Sequence, residues 1–160
     1  MAKVLVVYHS QTGNTEKMAK FIAEHLKNHG NEVTFKKVQN TKPDDFKNAD
    51  GIIIGSPTYY GGMAADVKKL LDDSVGIHGQ LDGKAAAAFS SAGNIAGGNE
   101  TTVLNILNAM LIHGFIIQGD PQGSHYGPVA IGSPDERAKR ECVRLAERFD
   151  ALLKRLAQKK

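Results

Sequence analysis

With 160 residues, the chain has the length of one domain able to bury most of the surface that its unfolded form exposes. Its 17 acidic and 20 basic residues leave a net charge of +3 with no basic stripe interleaved with aromatics, which argues against a nucleic-acid partner. The lone Cys142 cannot pair within the chain, and the apolar run at Val4 to Tyr8 is too short to be a membrane span or a signal-peptide core, so the expectation is a soluble, cytoplasmic domain over 1–160.

The first strand is expected over Val4 to Tyr8, followed by a loop of small and polar residues, Ser10, Gln11, Thr12, Gly13, Asn14 and Thr15. Met18, Ile22 and Leu26, with Ala19 and Ala23 beside them, then mark an amphipathic helix from Thr15 to His29, closed by Gly30. Glu32 to Val38 reads as an edge strand with Val33 and Phe35 on its apolar side, and 40–48 as a loop or short helical turn around Pro43 and Phe46. The continuous apolar run Gly51 to Gly55 suits a parallel strand buried on both faces.

A second loop is expected over Ser56 to Met63 and a helix over Asp66 to Asp73, with Val67, Leu70 and Leu71 inward. An alanine-rich strand follows at Lys84 to Phe89, a third small-residue loop at Ser90 to Asn99, a helix at Thr101 to His113 and a short strand at Phe115 to Ile117. Gly119 to Gly132 has no regular pattern, and connections that long are more often functional than idle. The last helix is expected to open with Ser133 as cap, Pro134 at its first position and Glu136 closing a capping box. Ala138, Cys142, Leu145, Phe149, Leu152, Leu153 and Leu156 form its apolar face. Strands alternating with helices in this way define a doubly wound, five-stranded parallel α/β sheet.

Ligands of such sheets bind beyond the carboxyl ends of the strands, which is where all three unusual loops fall. The first loop can wrap its backbone amides around an anion at a helix start, and Gly13 lets the backbone approach and take a positive φ. An ordinary capped turn uses the same residue types. It is neither a Walker loop nor a dinucleotide fingerprint, and any anion is held by neutral donors. Tyr59 and Tyr60, ahead of Gly61 and Gly62, suit stacking on a flat heterocycle. His25 and His29 are spaced like metal ligands but lack a third partner, so no metal is assigned.

Ser-Gln-Thr-Gly-Asn-Thr after the first strand resembles the phosphate loop for flavin mononucleotide (FMN) in flavodoxin-fold proteins. Pro-Thr-Tyr-Tyr-Gly-Gly-Met and Phe-Ser-Ser-Ala-Gly are similar to the flavodoxin-like NAD(P)H:quinone oxidoreductases called tryptophan-repressor-binding-protein-like, over nearly the whole chain. The resemblance implies strand order 2-1-3-4-5 and FMN as cofactor. It places Ser10, Gln11, Thr12, Gly13, Asn14 and Thr15 on the phosphate. Pro57, Thr58, Tyr59, Tyr60, Gly61 and Gly62 would lie on the flavin ring. Ser91, Ala92, Gly93, Asn94 and Gly97 would take its other edge, and His113 would reach it from the end of a helix. Three departures stand out: a shorter segment between strands 2 and 3, which bears on homo-oligomer assembly, an added residue near Asn94-Ile95-Ala96, and no tryptophan before strand 4.

The resemblance leaves two functions open. One is an enzyme in which NADH or NADPH passes a hydride through FMN to a quinone, with no side chain acting as acid or base. The other is a flavodoxin-type carrier that passes single electrons to a redox partner protein, favoured by Gly61-Gly62 and disfavoured by the absence of an acidic docking surface. A phosphorylated receiver is excluded because strand 1 ends in Tyr8-His9-Ser10, without the acid pair that magnesium needs.

Overall fold

Five residues of unbroken burial, Val4 to Tyr8, make β1 (Lys3–Tyr8) an inner strand of the sheet. The computed structural model describes residues 1–158. To one side of β1 lies β2 (Glu32–Lys37), paired in parallel and half-exposed as an edge strand should be. To the other lie β3 (Gly51–Tyr59) and then β5 (Ala85–Ala92), both parallel to it. A short β4 (Gly62–Met63) turns back antiparallel on the end of β3.

The fifth position of the sheet holds two short pieces, β6 (Ile116–Ile117) and β7 (Val129–Ile131). Both pair in parallel with β5, β6 at Ala85–Ala86 and β7 at Ser90–Ala92, so they are the two halves of one interrupted strand. Counted so, the order is the expected 2-1-3-4-5.

One face of the sheet is covered by α1 (Asn14–Asn28) and α5 (Glu136–Ala157), whose Met18, Ile22, Leu26, Cys142, Phe149 and Leu153 pack with Val4, Val6 and Ile53. The other is covered by α2 (Pro43–Lys47), α3 (Ala65–Asp73) and α4 (Asn99–Ile112), through Phe46, Val67, Leu71, Ile106 and Met110. Small residues let these layers close. A Cβ at Gly51 would stand 2.7 Å from the Phe149 ring, and one at Gly55 would overlap the ring of Phe89. Cys142 belongs wholly to this core, where burial pushes its thiol up to about 12.

Three expectations need correction. β3 and β5 run on through Pro57–Tyr59 and Ser90–Ala92, because their polar side chains find partners inside the protein and the parallel pairing continues through Ser56–Ser90 and Pro57–Ser91. α5 is capped by Asp135, not Ser133: its carboxylate accepts from the Ala138 amide at 2.8 Å, and Pro134 precedes the helix. Finally, the stretch from Gly119 to Gly132 contains β7, three residues long and too short to show a period.

The remaining excursion, 118–128, is fastened to α5. The Asp120 carboxylate takes Nε and Nη2 of Arg144, which holds its pKa down at about 2. Arg148 donates to Gly119 O at 2.7 Å, Arg155 to Gln118 Oε1 at 2.8 Å, and Glu141 accepts from the Ser124 amide at 3.0 Å. Gly127, at φ +148, brings the chain back with its backbone against the Ala88 carbonyl, where any Cβ would collide. Gly127→Ala is therefore expected to lower stability by about 3 kcal/mol through overlap and backbone strain. Urea unfolding with an unchanged m-value would show it, and a loss under about 0.5 kcal/mol, the size of an ordinary surface change, would contradict it.

Candidate functional site

Three connections meet beyond the carboxyl ends of the adjacent strands β1, β3 and β5. The first begins where the His9 amide bonds Gly55 O at 3.1 Å, tying the end of β1 to β3. The chain then turns so that the Gly13 amide meets Ser10 Oγ at 3.1 Å, and Gly13 takes φ +96 with nothing near the place a Cβ would occupy. α1 starts at Asn14 with no side-chain cap among the described residues. Lys17 is the first residue whose amide finds its carbonyl, Gly13 O at 2.9 Å. The amides of Asn14, Thr15 and Glu16 are thus the open donors that a helix start leaves, and the dipole adds positive potential there. This arrangement of neutral donors is a candidate anion cradle.

The second connection is a two-residue hairpin. Tyr60 (φ 49) and Gly61 (φ 79) form the turn between Thr58–Tyr59 and Gly62–Met63, the positive pair that a type I′ turn requires. Tyr60 projects fully into solvent and Tyr59 is 41% exposed. Tyr59 is steered from the first connection: its hydroxyl donates to Gln11 Oε1 at 3.1 Å and its ring meets His9 edge-on at 6.1 Å. Pro57 and Thr58 are partly covered. Below the hairpin, Ser56 Oγ accepts from the Ala64 amide at 2.8 Å, closing the turn into α3.

The third connection is an exposed turn over Gly93–Ala96 in which Asn94 Nδ2 donates to Ile95 O at 2.9 Å and the Gly97 amide reaches Asn94 O. Gly98 (φ 103) then opens α4, again with no side-chain cap among the described residues. With α3, whose start at Ala64 also lacks a side-chain cap, three uncapped helix starts therefore belong to the same end of the sheet.

The structure brings the first two sets of expected residues and the third turn together, with two changes of role. Ser91 and Ala92 lie inside β5 and are buried, and Ser91 Oγ pairs with Thr15 Oγ1 at 2.9 Å across the core. Thr15 and Gln11 are thus turned toward neighbouring connections, and Ser10 Oγ is taken by the Gly13 amide. His113 does not join the site. It follows the last residue of α4, whose 14 residues span about 21 Å from the end that holds the third connection.

His113 is buried there with its Nε2 2.7 Å from Ser74 Oγ. Ser74 gives its own proton to Leu71 O at 2.6 Å, so Nε2 is the donor and Nδ1 is left bare and buried. Burial, and secondarily the neighbouring His78, hold its pKa below 6.5.

Sequence reasoning missed several contributors. Thr101 Oγ1 reaches Gly61 O at 2.7 Å, and Thr102 Oγ1 reaches Thr58 Oγ1 at 3.0 Å, both from the first turn of α4. Gln39 Nε2 joins His9 Nδ1 at 3.0 Å to Asp66 Oδ2 at 2.7 Å. The only signal for the threonines was their place directly after a glycine-rich loop.

A doubly wound sheet with an open helix start, an aromatic hairpin and a glycine-rich turn together at its carboxyl end defines an α/β protein whose connections form one candidate ligand site. The flavodoxin domain model matches residues 5–109. A flavodoxin of Aquifex aeolicus is 42% identical over 158 residues, covering 93% of this chain and 85% of its own. An NAD(P)H dehydrogenase (quinone) of Archaeoglobus fulgidus is 34% identical over 170 residues, covering 85% and 89%. Among solved structures, a flavodoxin from the domain Archaea superposes with a TM-score of 0.77 at 28% identity over 95% of this chain and 99% of its own. The chain belongs to the flavodoxin family.

Two predictions follow from these contacts. Thr15→Val leaves the buried Ser91 hydroxyl without its partner, at about 1–3 kcal/mol. The Thr15→Val/Ser91→Ala double variant should recover part of that loss, and additive losses in the urea-melt cycle would remove the coupling. For His113, the unfolded chain takes up a proton near pH 6.5 that the folded protein resists until its own lower pKa. Stability fully present above the unfolded pKa is therefore lost as pH falls from there through the folded pKa. Urea midpoints at about pH 7 and 5 should fall less in His113→Asn than in wild type, and equal falls would refute the assignment.

Proposed function

We propose that this protein is an FMN-dependent oxidoreductase in which NADH or NADPH and a quinone use one open face of the cofactor in turn. The observation that carries it is the absence of charged residues from the connecting segments at the carboxyl end, the nearest acids being those in the first turns of the helices that follow. Residues 10–15, 56–64, 90–99 and 121–134 contain no Asp, Glu, Lys or Arg. Tyr59, Tyr60, Ile95 and Ile131 are the exposed large apolar groups of those segments nearest the strand ends. A protein carrier recognises its partners with complementary charge, whereas a neutral, apolar rim suits a small, flat acceptor.

The residues present fit FMN. Its phosphate matches the open amides of Asn14, Thr15 and Glu16 with Ser10 and Thr12 beside them, and Gly13 leaves the approach clear. Its ring matches the gap between the tyrosine hairpin and the turn Gly93 to Gly97. Bound there, FMN supplies the hydride chemistry. The protein binds, orients and shields: Gln11 and His9 set the Tyr59 ring, and the hairpin sets Tyr60. The balanced reaction is NAD(P)H plus quinone plus one proton giving NAD(P)+ and hydroquinone, with the proton drawn from solvent.

The competing reading is a one-electron carrier, supported by the name of the Aquifex relative and by the Gly61-Gly62 pair at the turn. Steady-state assays separate the two. With FMN bound, NADH or NADPH should be oxidised at the expense of a benzoquinone, and negligible turnover with either nicotinamide would make the carrier the better reading. Gly13→Val, which forces a β-branched residue to a positive φ beside the cradle, should weaken FMN binding about tenfold or more, equivalent to about 1.4 kcal/mol. Retention of FAD in place of FMN would overturn the phosphate assignment.

A further inference from the structure

The tip of the hairpin that presents Tyr59 and Tyr60 is strained, and among the described residues Tyr60 makes no side-chain hydrogen bond. Tyr60 holds φ 49, a conformation that an L-residue with a large side chain adopts only at a cost, and its ring is fully exposed. Something outside the hairpin must hold the turn. The first turn of α4 does so. Thr101 Oγ1 lies 2.7 Å from Gly61 O and 2.8 Å from Gly98 O, two acceptors for one hydroxyl proton.

Gly98 makes the approach feasible, since a Cβ on it would stand 2.7 Å from Gly61 Cα. Thr102 adds its hydroxyl to Thr58 Oγ1 at 3.0 Å, and Asn105 Oδ1 would lie 3.1 Å from a Cβ on Gly62. The turn thus rests on bare backbone and is tied at its tip by one hydroxyl.

We propose that Thr101 is a positioning residue: by holding the Gly61 carbonyl toward α4 it keeps the Tyr60–Gly61 turn in the one conformation that sets the tyrosine rings for a flat cofactor. The inference rests on the FMN reading for its consequence, though not for its geometry. Thr101 has no contact with the cradle of the first connection, and its effect runs through the hairpin. Strain of this kind persists where surrounding structure over-determines it, and a preset turn spares the ligand the work of ordering it.

Thr101→Val keeps the shape and removes the hydroxyl, and Thr101→Ser keeps the hydroxyl. In apoprotein, hydrogen exchange at the Tyr60 to Met63 amides should rise about five- to tenfold in the valine variant, as losing one hydrogen bond implies. Exchange in β1 and β5 should stay at the wild-type rate, and the serine variant should restore the hairpin. FMN titration by fluorescence quenching should show a dissociation constant raised by a similar factor in the valine variant and recovered in the serine variant.

Hairpin exchange within twofold of wild type overturns the pin, as does a serine variant that behaves like valine. Weaker FMN binding with unchanged hairpin exchange also overturns it, because the hydroxyl would then act directly on the ligand. Wild-type apoprotein that takes up no FMN overturns the cofactor reading instead, and hairpin exchange then decides the pin alone. Should the valine variant fail to fold, Gly98→Ala, which displaces the same turn, must give the same faster hairpin exchange for the proposal to stand.

Discussion

Parallel pairing of β1, β3 and β5, each buried on both faces, is the constraint from which the rest follows. Parallel strands cannot be joined by tight turns, so each must hand its chain to a helix on one face or the other. All carboxyl ends then point one way, and three connections widely separated in sequence become neighbours. The pairing Ser56–Ser90 and Pro57–Ser91 extends the sheet into those connections. It brings Thr15 and Ser91, 76 residues apart, to one buried hydrogen bond. The first connection is therefore tied to β5 through Thr15–Ser91 and to the hairpin through Gln11–Tyr59.

Hydroxyl groups allow polar sequence to continue a buried strand. Ser56, Ser90, Ser91 and Thr15 are all nearly inaccessible, and each has a partner: the Ala64 amide, Asn99 O, or one another. A small hydroxyl satisfied internally can sit where an unsatisfied one would be destabilising. The same device reaches the hairpin from α4, through the exposed Thr101 and the buried Thr102.

These hydroxyls also explain where sequence reasoning stopped. The buried runs Val4–Tyr8 and Gly51–Gly55, the apolar stripe of α1 and that of α5 were legible because burial writes a period or an unbroken run into the residues. Ser90–Ala92 was not, because a serine in a loop and a serine paired inside a strand are the same letter. β7 escaped for want of length, and the α5 cap was misplaced because Ser133 and Asp135 are both good caps. The candidate loops were found by composition. Composition did not reveal that Thr15 and Gln11 face their neighbours, or that His113 lies at the far end of α4 with its Nε2 on Ser74.

Electrostatics divides this molecule in a way that bears on what its fold can do. The helices carry the charge, in pairs such as Lys68–Asp72 and Lys69–Asp73 on α3 or Lys20–Glu16 on α1, and the excursion is closed by Arg144 on Asp120. The connections at the carboxyl end carry none. The uncapped starts of α1, α3 and α4 still supply local positive potential there, short-ranged and directional, and the charged side chains in their first turns, Glu16, Asp66 and Glu100, stand one per helix. An anionic group is thus held by dipoles close at hand, while the rim outside it offers mostly shape and apolar surface. That combination suits discrimination by contact, and it is the physical ground of the proposal that the acceptor is small and flat and not a charged docking partner.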